Sequence, residues 1–285
     1  MLEVLKSIAE NYRKGTPNGI RVDVETNLVF SPAHFTWMDT NYPAATPREG
    51  YPVEIQALWY RLLALLGRYD QSFQPLAEQT ARSIRELFVL PGLSRLSDCL
   101  HAASGTGARR AVPDNALRPN QLFAITLGAV REPDLIRGII RSCKTLVIPG
   151  AIRSLADAEV EPPLPVALDG RRLNNPRRPY QGRYRGPEDT MRKVAYHNGT
   201  AWCWPFPSYA EAMFLAGGEA ARSAARAVLF SAADYFNGGC PGQLPEIADG
   251  DYPHHWGGCA AQAWSVSEFY RVGKLLGGDS GNAVK

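Results

Sequence analysis

YPVEIQALWYRLLALLG, residues 51–67, is the stretch whose reading sets the fold class. Pro52 stands near its first turn and Gly67 at its end, the asymmetry expected of a helix. Residues 70–89 follow almost at once and open on Asp70, a residue suited to cap a helix start. Two helices on so short a turn form a hairpin, and the same pattern recurs outward from it. Residues 1–14 place Leu2, Leu5, Ile8 and Tyr12 at helical spacing. Residues 118–130 and 133–147 pair across Arg131-Glu132, followed by helical stretches at 200–216, 219–237 and 259–276. Alternating strand patterns are scarce, so the expected class is all-α with about eight helices. Between hairpins run long segments, 15–50, 90–117, 148–199 and 238–258, each beyond the ~12–15 residues at which a loop is usually functional. A ring of helical hairpins would gather these loops at one end, around one pocket. There is no internal repeat of the kind a solenoid requires.

Composition narrows the class further. A hydrophobic share of 45% and a net charge of +3 over 285 residues exclude intrinsic disorder. No apolar run approaches the ~18 residues of a membrane span, and the N-terminus lacks the features of a signal peptide. Cys99, Cys143, Cys203, Cys240 and Cys259 are odd in number and scattered, which suits neither a disulfide framework nor a zinc site. The expected location is cytoplasmic, with no membrane partner. Residues 171–193 carry eight Lys or Arg against two acids. No nucleic-acid-binding motif accompanies them, so they read as a solvated loop paired with acidic neighbours, and no nucleic acid partner is expected.

Three loop motifs could carry chemistry. In Phe35–Tyr42, Asp39 follows Trp37, and partial desolvation there would favour a protonated general acid. The alternative is that Asp39 only fixes a turn. In Gly239–Asp251, Glu246 sits between Pro245 and Ile247, where a carboxylate could activate water. Asp249 and Asp251 compete with it but flank Gly250 and look like turn residues. In Tyr196–Pro205, Trp202 and Trp204 could stack on sugar rings beside His197, or could be core residues at a helix start. Arg118 would lie just outside the helix that Pro119 opens. His254 and His255 are adjacent and lack partners at ligand spacing, so no metal is expected. A phosphate loop, a His-Glu-x-x-His pattern and a nucleophile elbow are all missing from the sequence, and no cofactor is expected.

Four stretches together carry a resemblance: TWMDTNYPAATPREGYPVEIQALWYRLL (36–63), ALRPNQLFAITL (116–127), YHNGTAWCWPF (196–206), and GCPGQLPEIADGD (239–251) with GCAAQAWSVSEFYR (258–271). In that order they resemble the C-terminal, amylo-α-1,6-glucosidase domain of glycogen debranching enzymes of the bacterial and archaeal type. The resemblance runs over about residues 1–277, leaving 278–285 as a short polar tail. It implies an (α/α)6 barrel that hydrolyses α-1,6 branch points of glycogen or another branched α-glucan with inversion. Asp39 then matches the general acid and Glu246 the general base, while Trp37, Arg118, His197, Trp202 and Trp264 fall in stretches that line the sugar pocket. Residues 40–45 depart from the family's usual continuation, so the subsite near Asp39 is expected to be shaped differently. About eight helices of the twelve in such a barrel are present. The expectation is therefore an incomplete barrel, with the missing N-terminal segment absent or supplied by another chain, and little activity in isolation. The alternatives are another α-glucosidase or a trehalase on the same scaffold, or a non-catalytic glucan-binding or assembly module.

Overall fold

The computed structural model describes residues 1–277; the tail at 278–285 lies outside the described residues. Helix accounts for 44% and strand for 12% of the structure, so helices build the layers and strands are an addition to them. Nine α-helices are found among the described residues: α1 (Leu2–Lys14), α2 (Val53–Leu66), α3 (Gln74–Phe88), α4 (Leu122–Thr126), α5 (Pro133–Cys143), α6 (Lys193–Tyr196), α7 (Phe206–Gly217), α8 (Glu219–Phe230) and α9 (Ala263–Leu276). α2 shows why the sequence folds this way. Val53, Ala57, Tyr60, Leu63 and Leu66 recur at three- and four-residue steps and are all buried. Asp70 caps the next turn, its side chain accepting from the Ser72 backbone N–H.

The helices pack in two layers. α1, α2, α4, α7 and α9 form a row in which each contacts the next. Behind it, α3 packs on α2, α5 on α4 and α7, and α8 on α7 and α9. One large apolar core runs between the layers, with Phe30, Tyr51, Leu63, Phe88, Leu122 and Phe206 fully buried in it.

Several boundaries differ from the expected ones, always where a short strand or a tighter turn takes over. The stretch expected to be helical from 200 starts only at Phe206, because Ala201–Trp202 joins a sheet. The stretch 118–130 opens as a 3₁₀ turn, Pro119–Gln121, and its α-helical part is only Leu122–Thr126. α6, preceded by a π-turn over Glu188–Arg192, lies inside a segment expected to be loop.

Two small antiparallel sheets matter for the site. One has the strand order Trp256–Gly257, Ile247–Ala248, Ala201–Trp202, Ala151–Arg153, Val147–Ile148. In it Trp202 pairs with Ile247, which brings two distant motifs side by side. The other joins Gly50–Pro52, Cys99–His101 and Val112–Pro113, and holds the segments bearing Arg48, Asp98 and Asp114 together.

Candidate active site

Glu246 immediately precedes its strand, so the backbone ladder holds it on both sides. Its N–H donates to the Cys259 carbonyl at 2.8 Å, and its own carbonyl accepts from the Cys203 N–H at 3.2 Å. The half-buried carboxylate accepts the Tyr196 hydroxyl at Oε1 and the Cys259 N–H at Oε2, the latter at 2.9 Å. Gly258 has φ +67°, and any side chain there would run into the Glu246 carboxylate. A residue without Cβ is what lets the Cys259 N–H approach so closely.

Asp39 lies on the loop between α1 and α2. It is exposed, not shielded beside Trp37 as the sequence suggested, because Met38 takes the buried position between them. Met38 is fully buried, and its carbonyl accepts from Thr46 Oγ1 at 3.3 Å. Trp37 is oriented from behind by Asn120, whose Oδ1 accepts the indole N–H at 2.9 Å. Asn120 in turn donates to Asp98 at 2.8 Å.

Tyr196 holds Glu246 and lies within the field of Asp39. Burial raises its pKa, the hydrogen bond to Glu246 adds to the rise, and nearby Asp39 contributes in the same direction. The phenol therefore stays protonated and remains a donor. Tyr184 lies against it, ring centroids 5.2 Å apart, and its pKa is raised by burial and by Glu246. His34 stands near Asp39; burial lowers its pKa and Asp39 opposes the shift.

An aromatic wall stands behind these groups. Trp37 meets His197, Trp202 and Trp204 edge-on at 5.5, 5.2 and 5.0 Å. Trp204 is sandwiched between Phe123 and Trp264, while Trp202 stacks on His197. Such pairs add about 0.5–1.5 kcal/mol each beyond the area they bury. Trp37 and Trp264 keep part of their surface open; Trp202 does not, and its indole N–H donates to the Tyr196 carbonyl at 2.8 Å.

Arg118 and His197 support this wall from the inside, at 2% and 1% exposure. Arg118 donates to the His197 carbonyl, to Ser154 O at 3.0 Å and to Asn198 Oδ1 at 2.8 Å. His197 Nδ1 shares a hydrogen bond with Thr40 at 2.9 Å, next to Asp39, while its Nε2 is buried without a partner. Burial holds the imidazole pKa well below its usual value, and the charges of Arg118 and Arg48 push the same way. Folded His197 is thus neutral where the unfolded imidazole, near pKa 6.5, takes up a proton. The unfolded chain binds the extra proton, so stability falls as pH drops below ~6.5, by up to about 1.4 kcal/mol per unit. Urea unfolding at pH 6.5 and 5.5 should show a smaller pH-dependent loss in His197→Gln than in the parent. Equal losses would mean that His197 does not carry it.

The basic run is drawn onto the same region. Arg185 binds Asp249 at 2.9 Å, and Tyr180 donates to Asp251 at 2.8 Å. Asp249 and Asp251 thereby anchor this strap, a long-range role in place of the local turn chemistry expected of them. His254 Nδ1 bonds the Asp249 carbonyl at 3.0 Å, and among the described residues no three His, Cys, Asp or Glu side chains are grouped to hold a metal. Nor is any described helix long and apolar enough to cross a membrane.

The four motifs are thus brought to one place, some of the residues that join them lying inside the motifs and others, such as Asp98, outside. A family model described as amylo-alpha-1,6-glucosidase matches residues 1–271. The chain belongs to that family. The family implies a glycosidase-type enzyme domain. Among curated proteins none matches the chain. Sequence reasoning passed over Tyr196, Tyr184, Asn120 and Asp98. Tyr196 and Asn120 stand within the recognised motifs, whereas nothing local marks Tyr184 or Asp98.

Proposed function

We propose that the protein hydrolyses the α-1,6 bond of a branch-point glucose in glycogen or a related branched α-glucan, with inversion at the anomeric carbon. Asp39 protonates the departing glycosidic oxygen; Glu246 takes a proton from the water that attacks the opposite face. The observation that carries this reading is Glu246, held by Tyr196 and the Cys259 N–H beside the aromatic wall of Trp202. The exposed Asp39 has room to meet a bulky leaving chain. The partly open faces of Trp37 and Trp264 suit the apolar face of a sugar ring. Arg118, His197 and Trp202 hold the wall of that pocket in place.

Family membership supports the substrate class, and the two-layered row of helices supports a sector of an (α/α)6 barrel. All five cysteines are free, which fits a reducing compartment such as the cytoplasm. Inverting glycosidases need their carboxyl groups about 6.5–9.5 Å apart to admit a water. The test is the configuration of the first product. With isomaltose or a limit dextrin, proton NMR within the first minutes should show β-glucose ahead of mutarotation. α-Glucose appearing first would rule out the assigned base, and retention of glycogen without any glucose release would favour a binding module.

A further inference from the structure

Trp256 is a half-exposed aromatic ring near Glu246 that the acid–base pair does not use. It is 46% exposed, although it sits in a sheet whose neighbouring strand follows directly from Glu246. The reason it stays in place is Gly238-Gly239. A Cβ at Gly239 would collide with the six-membered ring of the indole, and one at Gly238 would come within 3.5 Å of its Nε1. The indole therefore lies on bare backbone and presents its remaining surface to solvent. An aromatic ring held from behind with one part open is a ready platform for a ring-shaped ligand.

Beside it is a cavity of about 150 Å³ bordered by Tyr184, Arg185, Asp249, His255 and Trp256. Its polar side is preorganised. Asp249 accepts the Tyr184 N–H at 2.8 Å through one oxygen, and Arg185 Nε and Nη2 at 3.2 and 2.9 Å through the other. That fixes the guanidinium and leaves its Nη1 free of any partner among the described residues. His255 is exposed at the same rim. An aromatic platform beside a fixed guanidinium and an imidazole suits one class of ligand: a ring with an apolar C–H face and a girdle of hydroxyls. Two acids near the strap are already consumed by it, which leaves no reason for a cation to settle there.

We propose that this cavity is an accessory subsite for a glucose unit on a neighbouring chain of the same branched α-glucan, outside the site of hydrolysis. The inference rests on the α-glucan reading above. Continuity with the site supports it: Tyr184 borders the cavity and also packs on Tyr196, the residue that holds Glu246. A chain seated on Trp256 ties the particle to the enzyme, and a second branch is then presented to the acid–base pair at high effective concentration.

The experiment is affinity electrophoresis of the whole chain through gels containing glycogen, with glucose release assayed separately. Trp256→Ala should weaken retention about tenfold, equivalent to about 1.4 kcal/mol. Trp256→Tyr keeps a stacking face and should restore most of it. Retention that is independent of residue 256, that falls equally with Ala and Tyr, or that is missing from the parent chain overturns the subsite. Retention that depends on Trp256 in a chain that releases no glucose counts against the acid–base reading alone.

Discussion

Replacing Arg48 by methionine is expected to destabilise the protein by about 3–5 kcal/mol, a large share of the stability of a domain of this kind. Arg48 is 3% exposed and lies between two buried carboxylates. Its guanidinium donates to both oxygens of Glu54, at 2.6 and 2.7 Å, and to Asp98 Oδ2 at 2.7 Å. Burial alone would lower its pKa, but Asp98 and Glu54 more than reverse this and raise it well above the usual value. Methionine fills similar volume and leaves Glu54 and Asp98 buried, with Arg118 the nearest remaining cation, 3.6 Å from Asp98. Uncompensated buried charge, not a lost attraction, is the source of the penalty. Urea unfolding at neutral pH measures it, and a loss below ~1 kcal/mol would show that water or rearrangement satisfies the two acids. Arg48→Met with Glu54→Leu and Asp98→Leu should recover part of the loss, since both unpaired acids are gone, although Arg118 then loses its nearest carboxylate. That variant should still be a poor enzyme, because Asp98 orients Asn120 and Asn120 orients Trp37.

This network also shows where sequence reading stops. α1, α3 and α9 were legible within a few residues, because a 3.6-residue period repeated over a dozen positions is a strong signal. A strand of two or three residues has no period to detect, and the site is assembled by strands of that size. Ala201–Trp202 looked helical because it adjoins α7; its partners at 151–153 and 247–248 are distant in the chain and decide otherwise. The same limit applies to single residues. Arg118 was expected at the sugar because the resemblance places its stretch along the sugar pocket. Here Ser154, Asn198 and the His197 carbonyl, all far off in sequence, occupy its donors. Asp39 and Glu246 were assigned through the family resemblance, the immediate neighbours of Asp39 alone suiting a turn equally, and Tyr196 was passed over although it opens a quoted motif. That its hydroxyl meets a carboxylate fifty positions away is a fact of the sheet, not of the motif.

Asp39→Asn and Glu246→Gln should each lower the hydrolysis of isomaltose by 10²–10⁴-fold, the usual worth of a positioned acid or base, and the two variants should differ in how they can be rescued. Asparagine cannot give a proton to the departing oxygen. An α-glucoside of 2,4-dinitrophenol has a leaving group that departs without one, so Asp39→Asn should cleave it at close to the parent rate. The base is still needed for that substrate, because attacking water must lose its proton whichever group leaves. Glu246→Gln should therefore stay impaired on both substrates. Glutamine can accept the Cys259 N–H through its carbonyl oxygen while its amide N–H donates to the Tyr196 oxygen, so the loop should hold its shape and the defect should lie in kcat more than in KM. Small azide anions, which attack without deprotonation, should restore turnover to Glu246→Gln and form a β-glucosyl azide. If instead Asp39→Asn is rescued by azide, or Glu246→Gln by the better leaving group, the two carboxylates hold each other's roles. If neither substitution changes the rate, the bond is broken by other groups.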